Sequence, residues 1–328
     1  MVAVGGSCPA HRPMITHSDI PPGLASQVSL GPAWSDWLRR LPSTASALLD
    51  EWDLRRDGDE LWHGFESLVV PVVGGDGRAA VLKVAFDGDD DGAQEALALQ
   101  HWAGRGAVRM LRADPRRRAL LLERLERRDL TAVDDDTACS TVADLYRTLH
   151  IPAPGRMTTL STRLGRWLDG LSRMPRDAPM PRRFVEQALS LGRDLVTDEG
   201  SVGVIVHGDL HHENVLVDRS GGERAWAVID PSPVSGDPHY EPASMLWNRL
   251  DPPPGGGRDL RAVIRRRFHL IVDAAGLDPD RARDWVVVRM ILNAHWSIMD
   301  AQNASRGLAM GDREWITTCI TVAKAVLD

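Results

Sequence analysis

His207-Gly208-Asp209-Leu210-His211-His212-Glu213-Asn214 is the stretch against which the rest of the chain is read. Val204-Ile205-Val206 before it and Val215-Leu216-Val217 after it have the composition of short buried strands, so the residues between them form a tight loop held at both ends. Asp209 and Asn214 stand on that loop, and a second apolar run, Val228-Ile229, ends at another acid, Asp230.

Asp209, Asn214 and Asp230 have the chemistry that phosphoryl transfer needs. One carboxylate accepts the proton of the attacking hydroxyl, and a second, with a neutral oxygen ligand, holds Mg²⁺ against the phosphates. Lys83 adds to the pattern. Of 39 basic residues only Lys83 and Lys324 are lysines, and Lys83 falls inside the apolar run Ala79-Ala80-Val81-Leu82-Lys83-Val84-Ala85-Phe86. A charge in a buried strand is costly unless it has partners, and a compact ammonium can meet both phosphate oxygens and a carboxylate. The competing expectation is an edge strand from which Lys83 snorkels to water. Asp91-Gly92-Ala93-Gln94 has the form of a capping box opening a helix to about Ala103, with Glu95 in its first turn. A strand lysine followed by a helix glutamate matches the kinase ion pair that fixes the lysine against the phosphates, although an acid at a helix N-terminus is also favourable by itself.

The chain has 328 residues, 43% hydrophobic and 26% charged, enough for two units with their own cores. A net charge of −7 argues against a nucleic-acid binder. Cys8, Cys139 and Cys319 lack metal-ligand spacing, as expected of reduced thiols in a cytoplasmic protein. No apolar run approaches a membrane span, and the N-terminus has no signal-peptide pattern. A monomer with no membrane partner is expected.

Residues 1–30 read as a loose arm, and Trp34 to Trp52 as one or two helical pieces broken at Pro42. Ser67 to Val73, the turn Gly74-Gly75-Asp76-Gly77 and the Lys83 strand form a β-hairpin; Ala119 to Leu125 reads as a strand that leaves this region as a connector. Helices are expected at about 136–149, 158–173, 181–197, 258–275, 279–301 and 312–327.

These residues resemble the aminoglycoside phosphotransferase superfamily, in the branch of streptomycin 6-kinases and hydroxyurea phosphotransferases. The resemblance spans roughly residues 20–328. It is carried by Leu82-Lys83-Val84, Glu95, Trp102 to Arg109, Leu121 to Leu125, Leu149 to Pro152, the His-Gly-Asp loop through Asn214, and Ile229-Asp230-Pro231-Ser232-Pro233-Val234-Ser235-Gly236-Asp237-Pro238. It implies Asp209 as catalytic base, Asn214 and Asp230 as metal ligands, Glu123 and Leu125 as connector residues reading adenine through their backbone, and His207 as a structural histidine. Two departures stand out. The turn Gly64-Phe65-Glu66-Ser67 has no GxGxxG, so Ser67 is the candidate there for phosphate contact, and Pro231-Ser232-Pro233 after Asp230 replaces the mobile segment of protein kinases.

Two other readings compete. A zinc site built from His207, Asp209, His211 and His212 would leave Lys83, Glu95 and Asp230 unexplained. A non-catalytic nucleotide-binding scaffold would have no use for Lys83, Asp209, Asn214 and Asp230 together. For the acceptor, Asn293, Trp296 and Asp300 share one helix face and offer an amide, an indole and a carboxylate to a cationic, hydroxylated ring; Glu241 is a further acid. Trp296 is equally well read as core.

The expectation is therefore a two-lobed α+β, protein-kinase-like fold. It comprises an N-terminal arm and helical lead-in (1–49), a small β-rich nucleotide-binding lobe and hinge (50–126) and a helical catalytic and substrate-binding lobe (127–328). With ATP and Mg²⁺ it would phosphorylate an alcohol of a streptomycin-like aminoglycoside; hydroxyurea or another small hydroxylated metabolite is the alternative acceptor.

Overall fold

The computed structural model describes residues 14–88, 94–218, 225–250 and 259–328. Its chain divides into two compact units, Met1–Asp90 with Leu111–Arg124, and Asp91–Met110 with Leu125–Asp328.

The first unit is a sheet covered by a helix. After the short helix α1 (Pro22–Ala25), α2 (Pro32–Glu51) carries Trp34, Trp37, Leu38, Leu41, Ala45, Leu48 and Leu49 at three- and four-residue spacing, a stripe that is buried throughout. Helix α2 runs unbroken through Pro42, contrary to the expected break. A proline costs a helix one hydrogen bond and a clash one turn back, about 3 kcal/mol, whereas each large apolar side chain buried along this stripe contributes about 1.5–3 kcal/mol. Trp34 also stacks on Phe86, with ring centroids 3.9 Å apart. From Met14 onward the expected loose arm is partly packed, since Ile15, Ile20 and Leu24 join the same core; residues 1–13 lie outside the described part.

The sheet contains β1 (Leu54–Arg56), β2 (Trp62–His63), β3 (Ser67–Gly74), β4 (Ala79–Ala85), β5 (Met110–Asp114) and β6 (Ala119–Glu123), in the order β1-β3-β4-β6-β5 with β2 also on β3. Strands β3 and β4 form the expected hairpin, with Val73 opposite Ala79. Val70, Val72, Leu82 and Val84 belong to the core with α2. Strand alternation therefore turns Lys83 to the opposite face. Strand β4 is interior, between β3 and β6, and Lys83 is 5% exposed, which removes the edge-strand reading.

The second unit is mainly helical. It holds α3 (Glu95–Trp102), β7 (Glu126–Asp129), α4 (Asp135–Leu149), α5 (Leu160–Ser172), α6 (Arg182–Thr197), β8 (Val204–Val206), β9 (Val215–Asp218), β10 (Ala225–Val228), β11 (Val234–Gly236), α7 (Pro242–Trp247), α8 (Leu260–Ala275), α9 (Pro279–Asn303) and α10 (Met310–Leu327). The six expected helices begin and end within two residues of these bounds; α7 had no counterpart in the sequence reading. Helix α3 belongs here because Ala107 bridges Val228 beside β10 and the Trp102 indole N–H donates to the Leu149 carbonyl at 2.8 Å. Of its expected capping box, residues 91–93 lie outside the described part.

Strands β8 and β11 pair antiparallel, as do β9 and β10, with β7 on the other side of β9. Helix α9 is buried almost all round, from Trp285 to Ile298, and centres the core of this unit. Its start is tied to the β11 end through Asp237, which is 1% exposed and accepts from the Trp285 indole (2.7 Å), the Arg281 guanidinium (2.6 Å) and both the backbone and ring of His239. Burial alone would raise the Asp237 pKa, but these donors hold it below the usual carboxylate value. Asp237→Ala removes the acceptor of four donor groups on three residues and should lower stability by about 3–5 kcal/mol, read as a lowered urea-denaturation midpoint.

Candidate active site

Two loops of the second unit meet edge to edge. The first, residues 207–214, joins β8 to β9; the second, residues 229–233, joins β10 to β11. Because these strands pair, their connecting loops are held side by side. The Ser232 N–H donates to the His207 carbonyl and the Ile229 N–H to the Asn214 carbonyl, both at 2.9 Å.

His207 ties the loops together from inside. Its Nε2–H donates to the Ile229 carbonyl at 3.0 Å, while Nδ1 accepts from the Asp209 N–H at 3.3 Å, which fixes a neutral imidazole. Burial pushes its pKa down, against the pull of Glu241 and Asp209, and its ring stacks near Trp102. The structural role expected of His207 is the one its contacts describe.

Asp209 follows with its side chain 37% exposed, so its carboxylate reaches open space; Oδ1 lies 3.5 Å from the Ser244 hydroxyl. The Asn214 side-chain amide donates to the Asp209 carbonyl at 2.8 Å. That bond orients Asn214 and leaves Oδ1 without a hydrogen bond among the described residues. Asp230 occupies the left-handed backbone region with φ of +55°, one residue beyond the pairing of Ile229 with Asn214. An amide oxygen and a carboxylate on adjacent loops form an all-oxygen donor set that suits a hard divalent cation such as Mg²⁺.

The loop rests on a carboxylate that the sequence reading placed elsewhere. Glu241, offered as an acid for the acceptor, is 1% exposed; one oxygen accepts from the His207 N–H and the other from the Gly208 N–H at 3.2 Å. It is occupied in holding the backbone beneath Asp209. Arg163 on α5 was missed as well: 2% exposed, it donates from Nη1 to the Ser232 carbonyl and hydroxyl at 3.3 and 3.4 Å, bracing the second loop. Neither contact leaves a trace in local spacing, because the partners are 33 to 69 residues apart.

The remaining predicted residues lie as follows. In the first unit, Lys83 is central in the sheet, Ser67 is buried at the start of β3, and Glu123 closes β6 opposite Ala80. In the second unit, Glu95 opens α3 at 6% exposure and Leu125 is half-buried just before β7. On α9, Asn293 is buried and Asp300 half-buried, its pKa raised by burial. The Trp296 ring is already engaged: the Arg289 guanidinium lies 5.3 Å from its centroid and Trp167 meets it edge-on at 5.1 Å. The face proposed for a cationic acceptor therefore stacks on a cation of the protein.

The histidines do not assemble a zinc site. His212 is fully buried with neither ring nitrogen hydrogen-bonded, and among the described residues no group of three or more His, Cys, Asp or Glu could hold a metal ion.

A sheet with a buried interior lysine and a helical unit with an acid, an amide and a second acid on paired loops define a kinase-like phosphotransferase. The fold is shared with the choline/ethanolamine kinase family protein from Mesorhizobium loti, with a TM-score of 0.59 at 17% identity, over 88% of this chain and 94% of that one. Residues 51–301 match the family model of aminoglycoside/hydroxyurea antibiotic resistance kinases. The chain is 36% identical to the streptomycin 6-kinase of Streptomyces glaucescens over 87% of its own length and 93% of the relative's. It is 32% identical to the hydroxyurea phosphotransferase of Kitasatospora aureofaciens, over 90% and 82%. The chain belongs to the aminoglycoside/hydroxyurea antibiotic resistance kinase family and is an enzyme that transfers phosphate to hydroxyl groups.

Two measurements test this geometry. Gly208 has φ of +79°, and a Cβ there would lie 2.4 Å from the Ser232 carbonyl oxygen, so Gly208→Ala forces the loops apart. Its turnover should fall at least about 100-fold, because misplacing a catalytic group by an ångström costs that much.

The second concerns acid. Burial pushes the His212 pKa from 6.5 down to about 3, so below pH 6.5 the unfolded chain takes up a proton that the native state refuses. Stability is full above pH 6.5 and falls as pH drops toward 3; the loss from His212 at pH 5 should be about 2 kcal/mol. His207 and His295, also held neutral by burial, act in the same direction. The urea midpoint of His212→Phe should fall less between pH 7 and pH 5 than that of wild type.

Proposed function

We propose that the chain transfers the γ-phosphoryl group of ATP to an alcohol of a streptomycin-like aminoglycoside. The observation that carries the reaction is the solvent-reaching Asp209 carboxylate on a loop whose neighbouring residues supply the Asn214 amide oxygen and the Asp230 carboxylate. The observation that favours the acceptor is the 36% identity, over nearly the whole of both chains, to a protein named streptomycin 6-kinase. The identity to a hydroxyurea phosphotransferase, 32% over 90% of this chain, supports hydroxyurea as a second reading.

On this reading Asp209 accepts the acceptor's hydroxyl proton as the oxygen–phosphorus bond forms and the bond from phosphorus to the ADP oxygen breaks. Glu241 and His207 fix the backbone from which Asp209 projects. Asn214 and Asp230 would hold Mg²⁺, which supplies positive charge against the phosphate oxygens. Lys83 and Glu95 are assigned to the α- and β-phosphate end of the nucleotide, Ser67 to its phosphates, and the backbone of Glu123 and Leu125 to adenine. Asn293 and Asp300 are assigned to the acceptor. Trp296 contributes there by packing.

The deciding experiment is a Mg²⁺-ATP assay with streptomycin and hydroxyurea as separate acceptors, where phosphorylation of streptomycin is expected and turnover of neither removes the proposal. Asp209→Ala should lower kcat by about 10²- to 10⁴-fold with ATP affinity nearly unchanged. Lys83→Ala should raise the KM for ATP and lower kcat. Near-wild-type turnover in Asp209→Ala would reject the base assignment.

A further inference from the structure

Helix α9 runs through the core as Val286-Val287-Val288-Arg289-Met290-Ile291-Leu292, and every residue of that run except Arg289 is buried and apolar. The Arg289 guanidinium is caged by three rings, with its Cζ 5.1 Å from the Tyr240 centroid, 5.3 Å from Trp296 and 5.9 Å from Trp247. It makes no hydrogen bond and no ion pair among the described residues. Its Nε is fully buried, while the residue as a whole keeps some exposure and its terminal amino groups are not among the buried, unpartnered atoms.

The other buried cations contrast with it. Arg267 is 2% exposed and meets the Asp135 carboxylate at 3.0 and 3.1 Å and the carbonyls of Asn248 and Arg249; Arg163 meets Ser232. An uncompensated guanidinium in a protein interior is expensive, and aromatic faces recover only part of that cost. Tyr240 and Trp247, two rings of the cage, stand at either end of α7, and from the middle of that helix the Ser244 hydroxyl lies 3.5 Å from Asp209 Oδ1, so the unpaired cation and the carboxylate assigned to the acceptor hydroxyl lie against the same short helix. Burial pushes the Arg289 pKa down to about 10, and the attraction that chiefly opposes this comes from Asp209.

We propose that Arg289 is a specificity-determining residue of the acceptor site: its terminal amino groups donate hydrogen bonds to an uncharged oxygen, hydroxyl or carbonyl, of the acceptor beside the hydroxyl presented to Asp209. This rests on the reading of Asp209 as the base. Three rings fix the guanidinium plane in advance, so little ordering remains to be done when the acceptor arrives. The placement also orients the acceptor. Asn293 and Asp300 follow Arg289 on the same face, and Asp300 lies about 16 Å further along the axis at 1.5 Å per residue. The oxygen-rich, uncharged portion of the acceptor belongs at the Arg289 end, and its cationic groups belong toward Asp300.

The test is steady-state kinetics of the full chain with streptomycin and with hydroxyurea, for wild type, Arg289→Lys and Arg289→Met, together with urea denaturation of each. Methionine keeps the stem's packing and its contact with the rings. Arg289→Met should raise the acceptor KM by about 10- to 100-fold with the ATP KM unchanged, the loss expected of a charge-assisted hydrogen bond. Arg289→Lys should recover part of that loss. The urea midpoint of Arg289→Met should equal or exceed that of wild type, which a residue kept for structure would not allow. An unchanged acceptor KM, or a lowered midpoint, overturns the proposal. If wild type phosphorylates neither acceptor, the proposed function fails separately, and the midpoint alone then decides: lowered, Arg289 is structural; kept or raised, it is held for a ligand.

Discussion

The site depends on a carboxylate with no access to solvent. Glu241 accepts the backbone N–H groups of His207 and Gly208 side by side, and those two residues set the position of Asp209. Backbone N–H groups in a turn are obligatory donors, and a buried carboxylate needs donors to remain charged. Each therefore satisfies the other, and the loop can bend sharply at a left-handed Gly208 without stranding these two donors. The His150 ring, stacked on Tyr146, lies 3.5 Å from the same carboxylate without a hydrogen bond to it.

Buried charge is used the same way elsewhere in the helical unit. Asp237 gathers Trp285, Arg281 and His239 where the end of β11 meets the first turns of α9, and Arg267 joins α8 to Asp135 on α4 and to the chain leaving α7. Pairs of this kind contribute little net stability relative to apolar packing, but removing one partner is costly, so they penalise any packing that separates their elements. Short loops such as 207–214 and 229–233 have few apolar side chains to bury. Directional bonds from the surrounding helices fix their position.

The relatives differ in the acceptor that each is named for, and on the proposed reading it is the α9 face carrying Arg289, Asn293 and Asp300 that would express this chain's preference. The candidate base and metal ligands sit on two loops held side by side by the paired strands β8, β9, β10 and β11, so a register shift of those strands would pull the loops apart. The acceptor candidates sit on α9, whose axis is fixed by core packing while its few polar positions remain free to vary.

How much of this was legible in the sequence follows from the range of the interactions. Strands flanking residues 207–214, the hairpin around Lys83 and six of the helices come from local periodicity, and periodicity is written in consecutive residues. The Asp209, Asn214 and Asp230 set was readable because its members lie on two short segments with distinctive chemistry. Lys83 stands out as a lone charge in an apolar run, and Arg289 carries the same signal in α9. The continuity of α2 through Pro42 was not legible, because the packing of its tryptophans outweighs a local penalty. Nor was the task of Glu241, since a glutamate after a tyrosine looks the same whether it faces solvent or closes a loop 33 residues earlier. The sequence by itself determined the elements and nominated the candidate reacting groups; only the tertiary structure decided which charges are engaged by the backbone, because that depends on hydrogen-bond partners brought together from distant parts of the chain.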